Sequence, residues 1–197
     1  MGIHCFFNVG GLQRQGFTLI ELLVGMAIAT ILLTMAVPAY RATIDGSRVS
    51  SELDALWSDM AFARMEAVRQ GLNVMMCSSR DGRTCSGSGN WQDGWIVMLP
   101  EGGACTANSG LGANNGALLR TRPAIHGGDT VSYVNAGSGG QGVCFSRLGT
   151  TAASGVMVVN SPAAQSAPSM FNRQCLFIAK GVGNVRAARY GDAAGGC

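Results

Sequence analysis

Polar and apolar positions fall into three textures along the chain. Residues 17–40 read FTLIELLVGMAIATILLTMAVPAY, with Glu21 as the single charge. Residues 22–40 alone are 19 uncharged positions, and a helix of that length runs ~28 Å, about the hydrocarbon thickness of a bilayer. A buried core helix would show a polar face, and this stretch has none, so the pattern predicts membrane insertion. A cleaved secretory signal is the competing reading. Its apolar run would span roughly 7–15 residues and end in a small-residue cleavage site. Here the run is longer and passes through Pro38-Ala39-Tyr40-Arg41 into a second helical pattern.

That second pattern is amphipathic. Val49, Leu53, Leu56, Trp57, Met60, Ala63, Ala67 and Val68 recur at steps of three and four, while Arg48, Glu52, Asp54, Asp59, Arg64, Glu66 and Arg69 fill other faces. Such spacing predicts a helix with one buried stripe, ended by Gly71, with Pro38 and Gly46 as bends. From Asn73 onward the texture is β. Eight short runs, at 73–78, 95–99, 117–122, 130–134, 142–145, 155–160, 173–179 and 184–189, are separated by Gly, Ser, Asn, Asp or Pro. No ten-residue helical pattern interrupts them. The expected fold class is α+β, with an antiparallel sheet or sandwich packed on the amphipathic half of a long N-terminal helix. Segments 102–116 and 161–172 are too long for tight turns and read as exposed loops.

Composition narrows the class. Charged residues make up 13% of the 197 positions and hydrophobic ones 47%, with a mean hydropathy of +0.22. A soluble domain carries about 25% charge, so a disordered or heavily solvated chain is excluded. A net charge of +3 is too small for nucleic-acid binding by bulk electrostatics. No G-x-S-x-G, P-loop or H-E-x-x-H pattern occurs, and zinc-type Cys spacing is absent. His126 is the single His beyond the first few residues. The chain therefore reads as a structural and interaction protein, not an enzyme, with no metal and no cofactor.

Seven Cys are present. Cys5 precedes the apolar stretch, and Cys77, Cys85, Cys105, Cys144, Cys175 and Cys197 follow it. An even number beyond a membrane anchor fits disulfides in an oxidising compartment, although six Cys allow 15 connectivities. Cys77 and Cys85 bracket a short loop and are the easiest pair to join. Cys197 is the last residue, and pairing it with Cys175 ties down a tail that otherwise frays. Cys105 is then left for Cys144.

Glu21 carries the sharpest chemistry. A carboxylate in a membrane helix costs on the order of 2.5–3.5 kcal/mol at mid-bilayer and less near the surface. Cleavage after Gly16 would expose a new amine on Phe17. That amine can pair with Glu21 of its own chain or of a neighbour, neutralising both charges so that helices pack side by side. The bland alternative is an interfacial Glu that snorkels to water.

At Gly16 followed by Phe17-Thr18-Leu19-Ile20-Glu21, the chain resembles the type IV prepilin family. The resemblance implies a leader over residues 1–16, cut by a prepilin peptidase between Gly16 and Phe17. It implies N-methylation of Phe17, and use of Glu21 in filament assembly. Pro38 falls where family members carry a helix-kinking Pro. Residues 1–16 depart slightly from the pattern in carrying one basic residue, Arg14.

The head is similar to the GspH/FimT branch of that superfamily. The motifs are Cys77, Asp81-Gly82, Cys85, then Trp91 and Asp93-Gly94-Trp95-Ile96-Val97. A final hairpin follows, with Arg173-Gln174-Cys175-Leu176-Phe177-Ile178 and Gly183-Asn184-Val185-Arg186. The implied organisation is leader 1–16, transmembrane and filament-core helix 17–40, amphipathic helix 41–71, and a β-rich periplasmic head 72–197. The implied function is that of a minor pilin that primes or assembles a type IV pilus. The alternative is the H pseudopilin of a type II secretion system. Its partners would be the peptidase, other minor pilins or pseudopilins, a major pilin and the inner membrane. The topology would be single-pass, N-terminus cytoplasmic and head periplasmic, before entry into the pilus or pseudopilus. A third and less favoured reading is DNA binding through Lys180, Arg186 and Arg189, with contacts to phosphates that weaken in salt. The family's Gly-Arg-x-Arg motif is Gly183-Asn184-Val185-Arg186 here, with Asn184 in place of its first Arg.

Overall fold

A computed structural model describes residues 16–100, 103, 117–135, 142–191 and 197. Helix α1 runs from Leu19 to Gln70, 52 residues, unbroken through Pro38 and Gly46. Thr18 caps it: its Oγ1 accepts the backbone N–H of Glu21 at 3.3 Å, the Ser/Thr-x-x-Glu spacing of a capping box. The chain divides into two units, one ending at Tyr40 and the other beginning at Arg41.

In the first unit every described residue is exposed, including the apolar ones. Two of its threonine hydroxyls turn back into the helix. Thr30 Oγ1 donates to the carbonyl of Ala27 at 2.8 Å and Thr34 Oγ1 to that of Ile31 at 2.7 Å. Both donors are thereby satisfied without water, as a hydroxyl on an apolar helix requires.

The second unit is built on the other half of α1. Val49, Leu53, Leu56, Met60, Ala63 and Ala67 are buried, an alternating four–three spacing that puts six side chains on one line of the helix. Gly71, with φ +69°, follows the last helical residue.

Eight strands follow: β1 (Val74–Ser78), β2 (Trp95–Met98), β3 (Leu118–Arg122), β4 (Thr130–Asn135), β5 (Gly142–Phe145), β6 (Gly155–Asn160), β7 (Arg173–Ile178) and β8 (Val185–Arg189). They form two antiparallel four-stranded sheets, ordered β3-β2-β1-β5 and β4-β6-β7-β8. Both sheets contribute to one core with α1, through Val74, Met76 and Val97 from the first and Val131, Met157 and Leu176 from the second. The two central strands of the first sheet, β1 and β2, are buried on both faces. Met75, Cys77, Ile96 and Met98 form a smaller cluster with Cys85 on the sheet's other side, so β1 reads as continuously apolar instead of alternating.

Two glycines hold the loops in place. Gly94 has φ +112°, and a Cβ there would lie 2.7 Å from the carbonyl oxygen of Arg122. Gly183 has φ +63°, and a Cβ would lie 2.4 Å from the carbonyl oxygen of Gly149. Neither position has room for a side chain, and both conformations favour glycine.

Two sequence expectations are corrected. Trp57 and Val68 are exposed, while Asp59 and Glu66 are buried, so the helix is rotated toward its acidic flank. Gly46 is a close-approach site: a Cβ there would come within 3.3 Å of the Phe171 carbonyl oxygen. The 161–172 segment is not simply an exposed loop, since Ser161 and Ala164 are buried and Pro162–Gln165 forms a 3-10 turn. Nearly all of the 102–116 segment lies outside the described residues.

Candidate assembly site

The N-terminal motif is split by the helix boundary. Gly16, Phe17 and Thr18 precede α1, and Glu21 stands in its first turn. Phe17 is 79% exposed, and nothing lies within 4 Å of the space a Gly16 side chain would take. The Gly16–Phe17 peptide is therefore open to solvent. Glu21 stands where the helix dipole favours a carboxylate. From Leu19 to Tyr40 the helix then offers apolar side chains on all sides, with no core of its own.

In the head, one flank of α1 carries an acid every seventh residue: Asp45, Glu52, Asp59 and Glu66. Each faces a basic partner or another acid, and Asp59 is the most enclosed of the four. Its carboxylate, fully buried, accepts Trp95 Nε1–H at 2.9 Å, Arg120 Nη1–H at 2.6 Å and Arg122 Nε–H at 2.9 Å. Burial opposes its ionisation, but the bonds from Arg122, Arg120 and Trp95 outweigh that and lower its pKa below the ordinary value. Arg120 also lies over the Phe62 ring, 3.9 Å from its centroid. Asp59 thus fastens α1 to β2 and β3.

About three turns earlier, Arg48 serves several carboxylates. It donates from Nη2 to Asp129 at 2.8 Å and to Asp45 at 3.1 Å, and from Nε to Asp129 again. Asp129 is buried immediately before β4. Burial and the neighbouring Asp129 carboxylate push Glu52 up to about 7, against the pull of Arg48. Near the helix end, Arg69 and Gln70 bind Glu66 and hold its carboxyl at about 2.

Two disulfides are present among the described residues. Cys77 joins Cys85 across eight residues of sequence, and Cys175 joins Cys197 across 22. Cys175 pairs with Ala188 in the β7–β8 register, and Cys197 Sγ lies 3.9 Å from the Ala188 carbonyl, so this bond brings Cys197 against β8. Cys144 is disulfide-bonded; Cys105, its expected partner, lies outside the described residues, as does Cys5.

Two basic residues of the last hairpin, Lys180 and Arg186, have described surroundings. Lys180 borders a cleft with Asn73, Ser146 and Thr151. Arg186 lies over Phe177, 5.9 Å from its ring centroid. Gly183 is committed to the contact with Gly149. Among the described residues no three His, Cys, Asp or Glu side chains converge as a metal site would require.

Residues 52–170 match the family described as Type II transport protein GspH, and residues 12–37 match the prokaryotic N-terminal methylation motif. No curated protein matches the chain. Two crystal structures of the Pseudomonas aeruginosa (strain PAO1) type IV minor pilin FimU are similar to it. The form in space group P21 is 15% identical, covers 72% of this chain and 89% of its own, and has a TM-score of 0.49. The form in P65 is 17% identical, covers 71% and 90%, and has a TM-score of 0.45.

Proposed function

The chain belongs to the GspH family and carries the prokaryotic N-terminal methylation motif, and from that premise we propose that it works as a minor pilin in type IV pilus assembly. The observation that carries the reading is the first turn of α1. An open Gly16–Phe17 peptide, a Thr18 cap and a Glu21 carboxylate stand directly before a helix that is apolar on every side.

A prepilin peptidase hydrolyses the Gly16–Phe17 bond, and the new amine is methylated on the nitrogen of Phe17. Before cleavage the helix anchors the chain in the inner membrane, with the disulfide-bonded head in the oxidising periplasm. After cleavage it leaves the bilayer for a bundle of like helices. A carboxylate buried among apolar side chains needs a counter-charge. The Phe17 amine of a neighbouring subunit supplies it, so Glu21 sets the axial register of the new subunit. The head provides contacts that decide which subunit comes next. The chemistry belongs to the peptidase, and this chain is its substrate and a building block.

A second reading, the H pseudopilin of a type II secretion system, is favoured by the description of the matching family. It uses the same cleavage, anchor and Glu21 pairing. Intact-mass and N-terminal analysis of the chain from membranes tests the common part. The expected product begins at N-methyl-Phe17, and Gly16→Arg leaves only precursor. A mature chain beginning elsewhere contradicts the assignment. Recovery from sheared surface fibres, set against recovery with secretion-system components, separates the two readings.

A further inference from the structure

The rotation of α1 in the head leaves an apolar flank uncovered. Taking Val49 as zero and about 100° per residue, Asp59 and Glu66 lie roughly 80–100° to one side of the buried line, and Trp57 and Val68 equally far to the other. Hydrophobicity alone would bury the second flank. The fold instead buries the acids, each with its own partner, and leaves Trp57 49%, Met65 60% and Val68 55% exposed. These side chains line a groove of about 540 Å³, closed on its far side by Gly183–Val185 at the start of β8.

The groove has the spacing and charge of a helix seat. Trp57, Ala61, Met65 and Val68 follow one another at steps of four, four and three, the neighbours that form one ridge of a helix. Ala61 keeps the centre of the ridge low, so another helix can approach. Arg64 lines the same groove. Arg48, Arg69, Arg120 and Arg122 of this region each bind a carboxylate, whereas Arg64 has no hydrogen bond or ion pair to any described residue. A guanidinium without a partner among the described residues, set in an apolar groove, is matched by an acid on an otherwise apolar or small-residue helix.

Resting on the assembly reading above, we propose that this groove seats the α1 helix of a neighbouring subunit of the same family, through a carboxylate that pairs with Arg64. The α1 of this chain shows what such a helix offers: Asp54 is exposed there beside Ser51 and Ser58. It lies ten positions before Arg64, so a parallel copy shifted by about 15 Å brings that carboxylate level with the guanidinium. The contact is heterologous, with different surfaces on the two sides, and therefore suits a growing helical array.

The test uses the full-length chain in its own cells, with benzoylphenylalanine in place of Met65. Irradiation is expected to give an adduct whose cross-linked peptide lies in the α1 helix of a pilin-family subunit. Arg64→Glu is expected to cut its yield about tenfold and Arg64→Lys to keep it, with both variants still fully disulfide-bonded. Adducts only to lipid or to a protein outside the family, or none, in a chain that still enters filaments, overturn the groove and leave the assembly reading standing. Equal yields from Arg64→Glu and wild type overturn the charge pairing. A chain absent from pilus and pseudopilus alike overturns the assembly reading and the groove with it.

Discussion

The carboxylate of Asp59 and the guanidinium of Arg122, 63 residues apart, meet at 2.9 Å inside the head. Asp59 is fully buried while Arg122 keeps some contact with water. The bond is one of four that Asp59 accepts from the first sheet, joining it to the middle of α1. Removing the acid strands two arginines and a tryptophan N–H against a helix that no longer answers them. Loss of one partner from a buried pair costs about 3–5 kcal/mol, and the residual hydration of both arginines places Asp59→Ala near the lower end. Denaturant titration of the detergent-solubilised chain is expected to show the midpoint fall accordingly. Arg80→Ala, which breaks an exposed pair with Asp93, should leave it almost unmoved.

Glu52 gives the head a dependence on pH with a definite sign. Its carboxyl is raised to about 7 in the folded head by burial and by Asp129, above its value of about 4.3 in an unfolded chain. The folded state therefore binds the proton more tightly. The stabilisation is complete below about pH 4.3 and is lost as pH rises through about 7. Glu52 retains some water contact, so the loss between pH 5 and 8 should amount to about 1–2 kcal/mol. Glu52→Gln keeps a neutral group beside Asp129 and should remove that slope. An equal slope in the variant would assign it to another group. Asp59 acts oppositely: its lowered pKa makes its contribution disappear only as pH falls below the ordinary carboxylate range.

The Cys175–Cys197 bond closes a 22-residue separation. A loop of that size confers about 2–4 kcal/mol, in the chain-entropy account by restricting the unfolded state. Cys197→Ser is expected to lower the thermal midpoint of the chain and to raise protease sensitivity after β8. Processing at Gly16–Phe17 should be unaffected, since that peptide lies in the other unit. Mass spectrometry of the mature chain from membranes reports both outcomes.

Much of the fold was legible because short-range rules dictate it. All eight expected strands are present, with limits shifted by no more than a residue at either end. Gly, Asn and Pro between short apolar runs leave the backbone few other choices. The end of α1 at Gln70 follows equally from Gly71. Rotation of α1 in the head was harder to read. Trp57 and Val68 look like core by residue type, and Asp59 and Glu66 look like surface. Glu66 is held locally by Arg69 and Gln70, but what holds Asp59 inside is a pair of arginines on β3, 61 and 63 positions away, which no local periodicity reveals. A signal was nevertheless present. Asp45, Glu52, Asp59 and Glu66 recur at intervals of seven, and acids on one helical line imply a common environment. Thr18 and Glu21 also stand at capping-box spacing. The role assigned to Glu21 in assembly therefore shares its residue with a local role in starting the helix.

That overlap defines the most direct measurement. Thr18 Oγ1 accepts the backbone N–H of Glu21, so Glu21→Ala keeps the cap while deleting the carboxylate. Quantitative immunoblotting of the chain in sheared or purified filaments, normalised to its membrane pool, tests whether the carboxylate is needed for assembly. The account predicts a Glu21→Ala chain that is cut after Gly16 and methylated on Phe17, is abundant in the membrane, and is depleted in filaments by at least tenfold. A processed Glu21→Ala chain that enters filaments at the wild-type level would contradict it.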